Sequence, residues 1–429
     1  MASREIIPVT QPVVGRIRPP GSRSITNRAL IVAALAAGRS TLTSVGLSSD
    51  TLVCAEALHT LGIPVEIDPP GCFMTIAGCA GRVPAGPADL STGDSGTATR
   101  FITALVAAGR GRYRIDGSPR MRVRPIQDLL DGLAALGVHA ESEWGTGCPP
   151  VLVDTRGLAG GTVRVSGEVS SQYLSALLMA APAAAQPVRI EVAGELVSKP
   201  YVDMTLAVMR DFGLTVRRQM HAWFEVPAPA AYRPREYAVE PDASSASYFL
   251  AAAAATGGRV TVEGLTRDSA QGDARFADVL GRMGCAVETS AEGLTVAAPR
   301  DRLRGIHVDL NAMPDMVLTL APLALLARGQ TVITNVANLR LKESDRLAAL
   351  ATELSRLGAT VEQLPDGLTI TPPEKVRPAE VATYNDHRMA MGMAVVGLAV
   401  PGIRIANPEC VAKTYPGFFE DLERLCGRA

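Results

Sequence analysis

The chain lacks the features that would tie it to a membrane, a polyanion or a metal cluster. Its opening Met-Ala-Ser-Arg-Glu has no apolar signal-peptide core, and Asp, Glu, Lys and Arg recur too often for any stretch to span a bilayer. A formal net charge of -1 and a pI near 6.6 leave no concentrated basic field, so neither nucleic acid nor an anionic membrane surface is expected as a partner. Any anion binding must be local. The seven cysteines, Cys54, Cys72, Cys79, Cys148, Cys285, Cys410 and Cys426, are odd in number and scattered without metal-ligand spacing. Free thiols in a reducing cytoplasm are the expectation, and the absence of a transit-like leader suggests a bacterial cytoplasmic protein.

What is present is apolar bulk with a long period. With 429 residues, 47% hydrophobic and 20% charged, the chain can bury large cores and should divide into more than one domain. Helices that end in Leu, Met or Phe followed by Gly and a short β-like run close at Gly62, Gly137, Gly213, Gly284 and Gly358, at spacings of 75, 76, 71 and 74 residues. A sixth closes at Gly427, 69 residues later, where the chain stops. An alanine-rich helix precedes each: 25–37, 98–108, 172–185, 244–256, 316–328 and 387–400. Small residues let this first helix sit deep in a core, whereas the second is amphipathic and lies outside.

The sixth copy has no strands after it, and residues 1–19 (Glu5–Val9 and Val13–Ile17) can supply them. The N-terminus then belongs with the C-terminal half. The expected architecture is α/β (α+β): six repeats, three per lobe, with 1–20 and 242–429 forming one lobe and 21–241 the other. Two chain crossings, near Pro19-Pro20-Gly21 and Glu240-Pro241-Asp242, would make a hinge, and hinged lobes favour a cleft that closes on ligand.

The helix starts carry the unusual chemistry. A helix N-terminus is partially positive, so cations there cost energy unless an anion is held against them. Yet Arg340, Lys342 and Arg346 crowd the start of the helix that closes at Gly358, and Arg23, Arg28, Arg124, Arg388 and Lys413 recur at other starts. Ser, Thr, Asp and Asn at such positions are explained as caps; the recurring cations are not. They point to an anionic small-molecule site with more than one phosphate or carboxylate.

Several stretches in register with the repeats resemble the enolpyruvyltransferases over the whole chain. They are Pro20-Gly21-Ser22-Arg23-Ser24-Ile25-Thr26-Asn27-Arg28, Gly96-Thr97-Ala98 with Arg100, Ser170-Ser171-Gln172, Val197-Ser198-Lys199-Pro200-Tyr201, Leu341-Lys342-Glu343-Ser344-Asp345-Arg346, Tyr384-Asn385-Asp386-His387-Arg388 and Ala412-Lys413-Thr414. The resemblance implies a two-lobed, inside-out fold of six βαβαββ-like units. It also implies transfer of enolpyruvyl from phosphoenolpyruvate to the 5-hydroxyl of shikimate 3-phosphate, in the pathway to aromatic amino acids. By similarity Ser24, Arg28, Ser170, Ser171, Gln172, Ser198, Tyr201, Asp315, Asn338 and Lys342 should hold shikimate 3-phosphate. Arg23, Gly96, Arg124, Gln172, Arg346, His387, Arg388 and Lys413 should hold phosphoenolpyruvate. Asp315 is assigned to the hydroxyl proton and Glu343 to the methylene carbon, with Lys413 and Lys342 assisting. No metal or organic cofactor is called for, and a monomer is expected.

Two departures bear on the phosphonate mimic glyphosate as an inhibitor. Arg23 stands where the family usually has lysine, and Asp94-Ser95 where it usually has Asn-Ala. Arginine exchanges a compact ammonium for a wider planar fork; Asp94 either adds an acid beside an anion site or caps the helix near Thr97. The rival readings are the sister transferase acting on UDP-N-acetylglucosamine, which carries a loop cysteine, and a non-catalytic anion-binding repeat protein. The matching loop here, Pro119–Arg124, has no cysteine, and acids such as Asp315 and Glu343 would weaken a pure anion binder.

Overall fold

The computed structural model describes residues 2–299 and 301–428. The chain forms two compact units, Met1–Pro20 with Pro241–Ala429, and Gly21–Glu240. Each has its own hydrophobic core: one gathers buried residues between Ile6 and Ile17 and between Ala243 and Leu422, the other between Ile25 and Val239.

The unit Gly21–Glu240 contains helices α1 (Arg23–Leu35), α2 (Ser49–Thr60), α3 (Gly96–Ala107), α4 (Gln127–Ala135), α5 (Ser171–Ala180) and α6 (Lys199–Asp211). The other contains α7 (Ala243–Thr256), α8 (Phe276–Arg282), α9 (Val317–Leu323), α10 (Arg346–Arg356), α11 (His387–Gly397) and α12 (Phe418–Leu425). The odd-numbered helices are the deep ones. Every residue of α1 from Ile25 to Leu35 and of α7 from Ala243 to Ala254 is buried, which small side chains permit. The even-numbered helices are amphipathic; in α10, Leu347, Leu350 and Leu354 face the core at helical spacing. Burying each of those leucines contributes roughly 2–3 kcal/mol. Gly62 (φ 92°) and Gly358 (φ 102°) follow α2 and α10 in left-handed backbone, the conformation that ends a helix at low cost in glycine.

One repeat shows the plan. Strand Ala88–Ser91 leads through α3 to the parallel strand Gly111–Asp116, then through α4 to His139–Ser142 and Val151–Thr155, which pair antiparallel. The parallel pair needs the helical crossover, and the antiparallel pair only a short connection. The first and fourth repeats begin at their helices and borrow the edge strand. Glu236–Ala238, just before α7, pairs with Arg39–Thr43, and Val14–Ile17, just before α1, pairs with Arg259–Glu263.

This corrects the expectation for the N-terminus. Only Ser3–Glu5 serve the sixth repeat, lying antiparallel on Ile403–Ala406 to make a three-stranded sheet with Ala379–Val381. Val14–Ile17 completes the fourth repeat instead. Its neighbour Val13 and its own Ile17 are buried there while Val14 is exposed. Pro8 and Pro12 in the intervening stretch cannot donate to a ladder, so the two strands separate and serve different sheets. Three deep helices are also shorter than their apolar runs. Residues 181–183 continue α5 as a tighter turn, and α9 is flanked by such turns at Pro314–Met316 and Ala324–Leu326, with Pro182 and Pro322 removing backbone donors. α11 stops at Gly397, short of Val400.

Candidate active site

In the unit that holds α7 to α12, the starts of α10 and α11 and the turn before α9 meet in a buried ion cluster. Arg346 opens α10 behind the cap Asp345, and its side chain is 1% exposed. Its Nε donates to Asp386 Oδ2 at 2.7 Å, its Nη1 to Asp315 Oδ1 at 2.8 Å, and its Nη2 lies 2.8 Å from Glu343 Oε2. Arg388 Nη2 lies 2.8 Å from the other Asp315 oxygen, and Lys413 Nζ donates to Glu343 Oε1 at 2.6 Å. Burial works against charge on Arg346, but Asp386, Glu343 and Asp315 outweigh it and raise its pKa further. Burial likewise pushes the Asp315 carboxyl up, and Arg388, Arg346 and Lys342 overcome it, holding Asp315 well below the usual carboxylate range.

The crowded cations therefore find acids of this same chain. Asp315 is no helix cap, since it lies inside the turn Pro314–Met316; both its oxygens grip arginines. Arg340 stands apart from the cluster, pairing at the surface with Asp345 and Leu364 O, which is an ordinary solvated charge. Asn338 sits in the turn Ala337–Leu341, and its Oδ1 is buried without a hydrogen-bond partner. His387 is buried at the start of α11, with Nδ1 3.7 Å from Asp386 Oδ1.

In the unit Gly21–Glu240, a second set gathers at the starts of α1, α3, α5 and α6. Arg28 is 1% exposed; it donates from Nε to Thr205 Oγ1 at 2.7 Å, from Nη1 to Ser24 O at 2.9 Å and from Nη2 to Tyr201 O at 3.1 Å. Its guanidinium also lies over Phe101, 5.2 Å from the ring centroid. Burial lowers its pKa to about 10, so it stays charged at neutral pH. Ser170 caps α5 by accepting from Gln172 N, while the Gln172 side chain accepts from Arg100 at 2.9 Å and donates to Thr97 Oγ1 at 3.1 Å. Ser198 stands at the N-cap position of α6 in left-handed backbone (φ 55°) without a side-chain cap bond, and Ser171 is buried beside Ser170. Arg124 is buried against Gly96, where an added Cβ would lie 2.8 Å from the guanidinium carbon. Arg23 reaches Asp50 at 3.2 Å. Asp94 does not cap α3; Ser95 does, and Asp94 accepts from Ser118 Oγ.

Three residues of these clusters escaped the sequence reading. Asp386 anchors Arg346, accepts from the Arg388 N–H and is fully buried. Thr205 holds Arg28 from α6. Asp273 accepts from Ser244 Oγ; burial first, and then Asp315, push its carboxyl up to about 6. Gln271-Gly272-Asp273 precedes α8 as Lys342–Asp345 precedes α10, and that repeat position is the signal that could have found it. Among the described residues, no group of three or more His, Cys, Asp or Glu is arranged to hold a metal ion, and no helix is long and apolar enough to cross a membrane.

Comparison with known proteins follows this geometry. The family model for EPSP synthase (3-phosphoshikimate 1-carboxyvinyltransferase) matches residues 7–422. The 3-phosphoshikimate 1-carboxyvinyltransferase of Nostoc punctiforme is 48% identical over 419 residues, covering 98% of each chain. The chloroplastic one of Arabidopsis thaliana is 46% identical over 441 residues, covering 99% of this chain and 85% of that one. A solved EPSP synthase from Acinetobacter baumannii superposes with a TM-score of 0.81 at 27% identity, covering 99% of this chain and 98% of that one.

Proposed function

The chain belongs to the EPSP synthase (3-phosphoshikimate 1-carboxyvinyltransferase) family, and from this premise we propose how its residues carry the reaction. The activity is transfer of enolpyruvyl from phosphoenolpyruvate to the 5-hydroxyl of shikimate 3-phosphate, with release of phosphate. The observation that supports this reading best is Asp315, a half-buried acid gripped through both oxygens by two arginines, in a chain matched along 98% of its length by such enzymes.

We assign Arg346, Arg388, Lys413 and His387, with Arg23, Gly96, Arg124 and Gln172, to phosphoenolpyruvate. Shikimate 3-phosphate is assigned to Ser24, Arg28, Ser170, Ser171, Gln172, Ser198, Tyr201, Asn338, Lys342 and Asp315. Paired as it is, Asp315 is a weak base. A carboxylate or phosphate on Arg346 and Arg388 competes for the same guanidinium N–H groups, and Asp315 loses part of what lowers its pKa. It then becomes competent to take the 5-hydroxyl proton as that oxygen attacks C2 of phosphoenolpyruvate. Glu343 is our donor to C3, and the proton it passes on is the one that Lys413 Nζ donates to it. Addition gives a tetrahedral adduct; breaking the C2–O bond to phosphate, with return of a C3 proton to Glu343, restores the C2–C3 double bond as the enol ether of the product.

Glyphosate, as a mimic of phosphoenolpyruvate, should compete for the same cations. Seven free cysteines support a reducing, cytoplasmic setting, and a monomer is the assembly we propose. Incubation with both substrates must release phosphate, and neither substrate alone may do so; no release above background refutes the reading.

A further inference from the structure

α10 meets the segment Ala382–Asp386 at two points. At its first residue, Arg346 bonds Asp386. Seven residues on, two turns later and on the same face, Glu353 is 1% exposed. Its Oε2 accepts from Ala382 N at 3.1 Å, its Oε1 accepts from the Tyr384 hydroxyl at 2.9 Å, and Arg356 Nη1 neutralises it at 2.9 Å. Between these anchors Tyr384 and Asn385 are both left-handed, each with φ 55°. Asparagine tolerates that region, whereas a bulky residue such as tyrosine is rarely found there. Asn385 Oδ1 accepts from Asn407 Nδ2 at 3.1 Å, and Asn407 is itself left-handed. A turn of this kind persists only where its surroundings over-determine it, and such turns concentrate at functional sites. Directly after it, Asp386 caps α11 through the Arg388 N–H.

We infer that Glu353 is a positioning residue: by clasping the Tyr384–Asn385 turn it fixes Asp386 and Arg388 in register with Arg346, so that the two guanidiniums keep the separation an anion must bridge. The inference rests on the reading that these arginines take phosphoenolpyruvate. A glutamate that only satisfied a loop would contribute to stability and leave substrate discrimination alone.

Tyr384→Phe, at a side chain 44% exposed, removes one bond of the clasp with little risk to folding. It is expected to raise KM for phosphoenolpyruvate roughly 3- to 10-fold, the loss of about one hydrogen bond, with KM for shikimate 3-phosphate within about twofold. Glu353→Ala should do more, and Glu353→Gln, which keeps an acceptor oxygen, should recover part of the loss. KM values that rise together, or that do not move, overturn the inference. Hydrogen exchange of residues 382–388 in the full chain without substrates is an independent readout. Glu353→Ala must accelerate it, and unchanged exchange overturns the clasp whether or not the chain turns over. Failure of the unmodified chain to release phosphate would instead defeat the functional reading, leaving exchange to decide the clasp.

Discussion

Arg346 Nε and Asp386 Oδ2 stand 2.7 Å apart with both side chains essentially out of water. Such a pair gains little net stability over an apolar one, but breaking it strands a buried charge. Asp386→Asn keeps the cap of α11, because asparagine caps as well as aspartate, but it removes the charge and sets an amide donor where Arg346 Nε now finds an acceptor. Unfolding in urea should show a loss of about 3–4 kcal/mol, the lower part of the range for one lost buried partner, because Asp315 and Glu343 still neutralise Arg346. Activity should fall more steeply than stability, since Arg346 then leans on Asp315 and Glu343 alone. A variant as stable as the parent would refute the account of this pair.

Asp273 has the opposite sign. Its carboxyl is pushed up to about 6 by burial and by Asp315, above the roughly 3.9 of an unfolded aspartate. Between about pH 4 and pH 6 the folded chain therefore binds the extra proton, so stability falls as pH rises through that window. Above it, the ionised group costs on the order of 2–3 kcal/mol. Asp273→Asn, which still accepts from Ser244, should stabilise the protein by that order at pH 8 and change little at pH 4. Equal effects at both pH values would show that Asp273 is not desolvated as described. For Asp315 the sign reverses: its stabilisation is present above about pH 4 and drains away as acid approaches its depressed pKa.

The periodic parts of this architecture were legible because they are local. Deep helices read as alanine runs, outer helices as amphipathic ones closed by glycine, and the cations at their starts as exceptions to the dipole rule. What stayed hidden was non-local. Whether Val14–Ile17 pairs with the fourth or the sixth repeat depends on sheet edges hundreds of residues away. Of the acids that neutralise Arg346, Glu343 is its neighbour in sequence, but Asp315 and Asp386 come from two separate segments. A cluster of like charges in sequence says that counter-charge is needed; it does not say whether the protein or a substrate supplies it.

Gly96 tests the second cluster. A methyl there would lie 2.8 Å from Arg124 Cζ and Nη1 and 2.6 Å from Arg100 Nη1, closer than real contacts allow. All three atoms belong to the ends of flexible side chains, so the backbone need not move, and alanine gains up to about 1 kcal/mol of helix propensity over glycine. Gly96→Ala should therefore melt within a few degrees of the parent while KM for phosphoenolpyruvate rises about 10-fold or more, because the guanidiniums must swing aside. A destabilised protein with unchanged KM would place Gly96 in packing alone.

Arg23 and Asp94, the two departures from the family pattern, now separate. Arg23 bonds Asp50 at 3.2 Å with both side chains largely buried, so its fork is held in one orientation. Asp94 is exposed and turned to Ser118. Lysine at position 23 could still meet Asp50 but only as a point charge, which alters the shape of the surface a phosphonate or phosphate sees. Arg23→Lys should change the ratio of the glyphosate inhibition constant to the KM for phosphoenolpyruvate several-fold, about 1 kcal/mol of discrimination. Asp94→Asn, keeping an acceptor for Ser118 and changing only a solvated charge, should shift that ratio less than about twofold. Equal ratios in Arg23→Lys and the parent would remove Arg23 from the discrimination, and a larger shift from Asp94→Asn would mean that its charge reaches the anion through water.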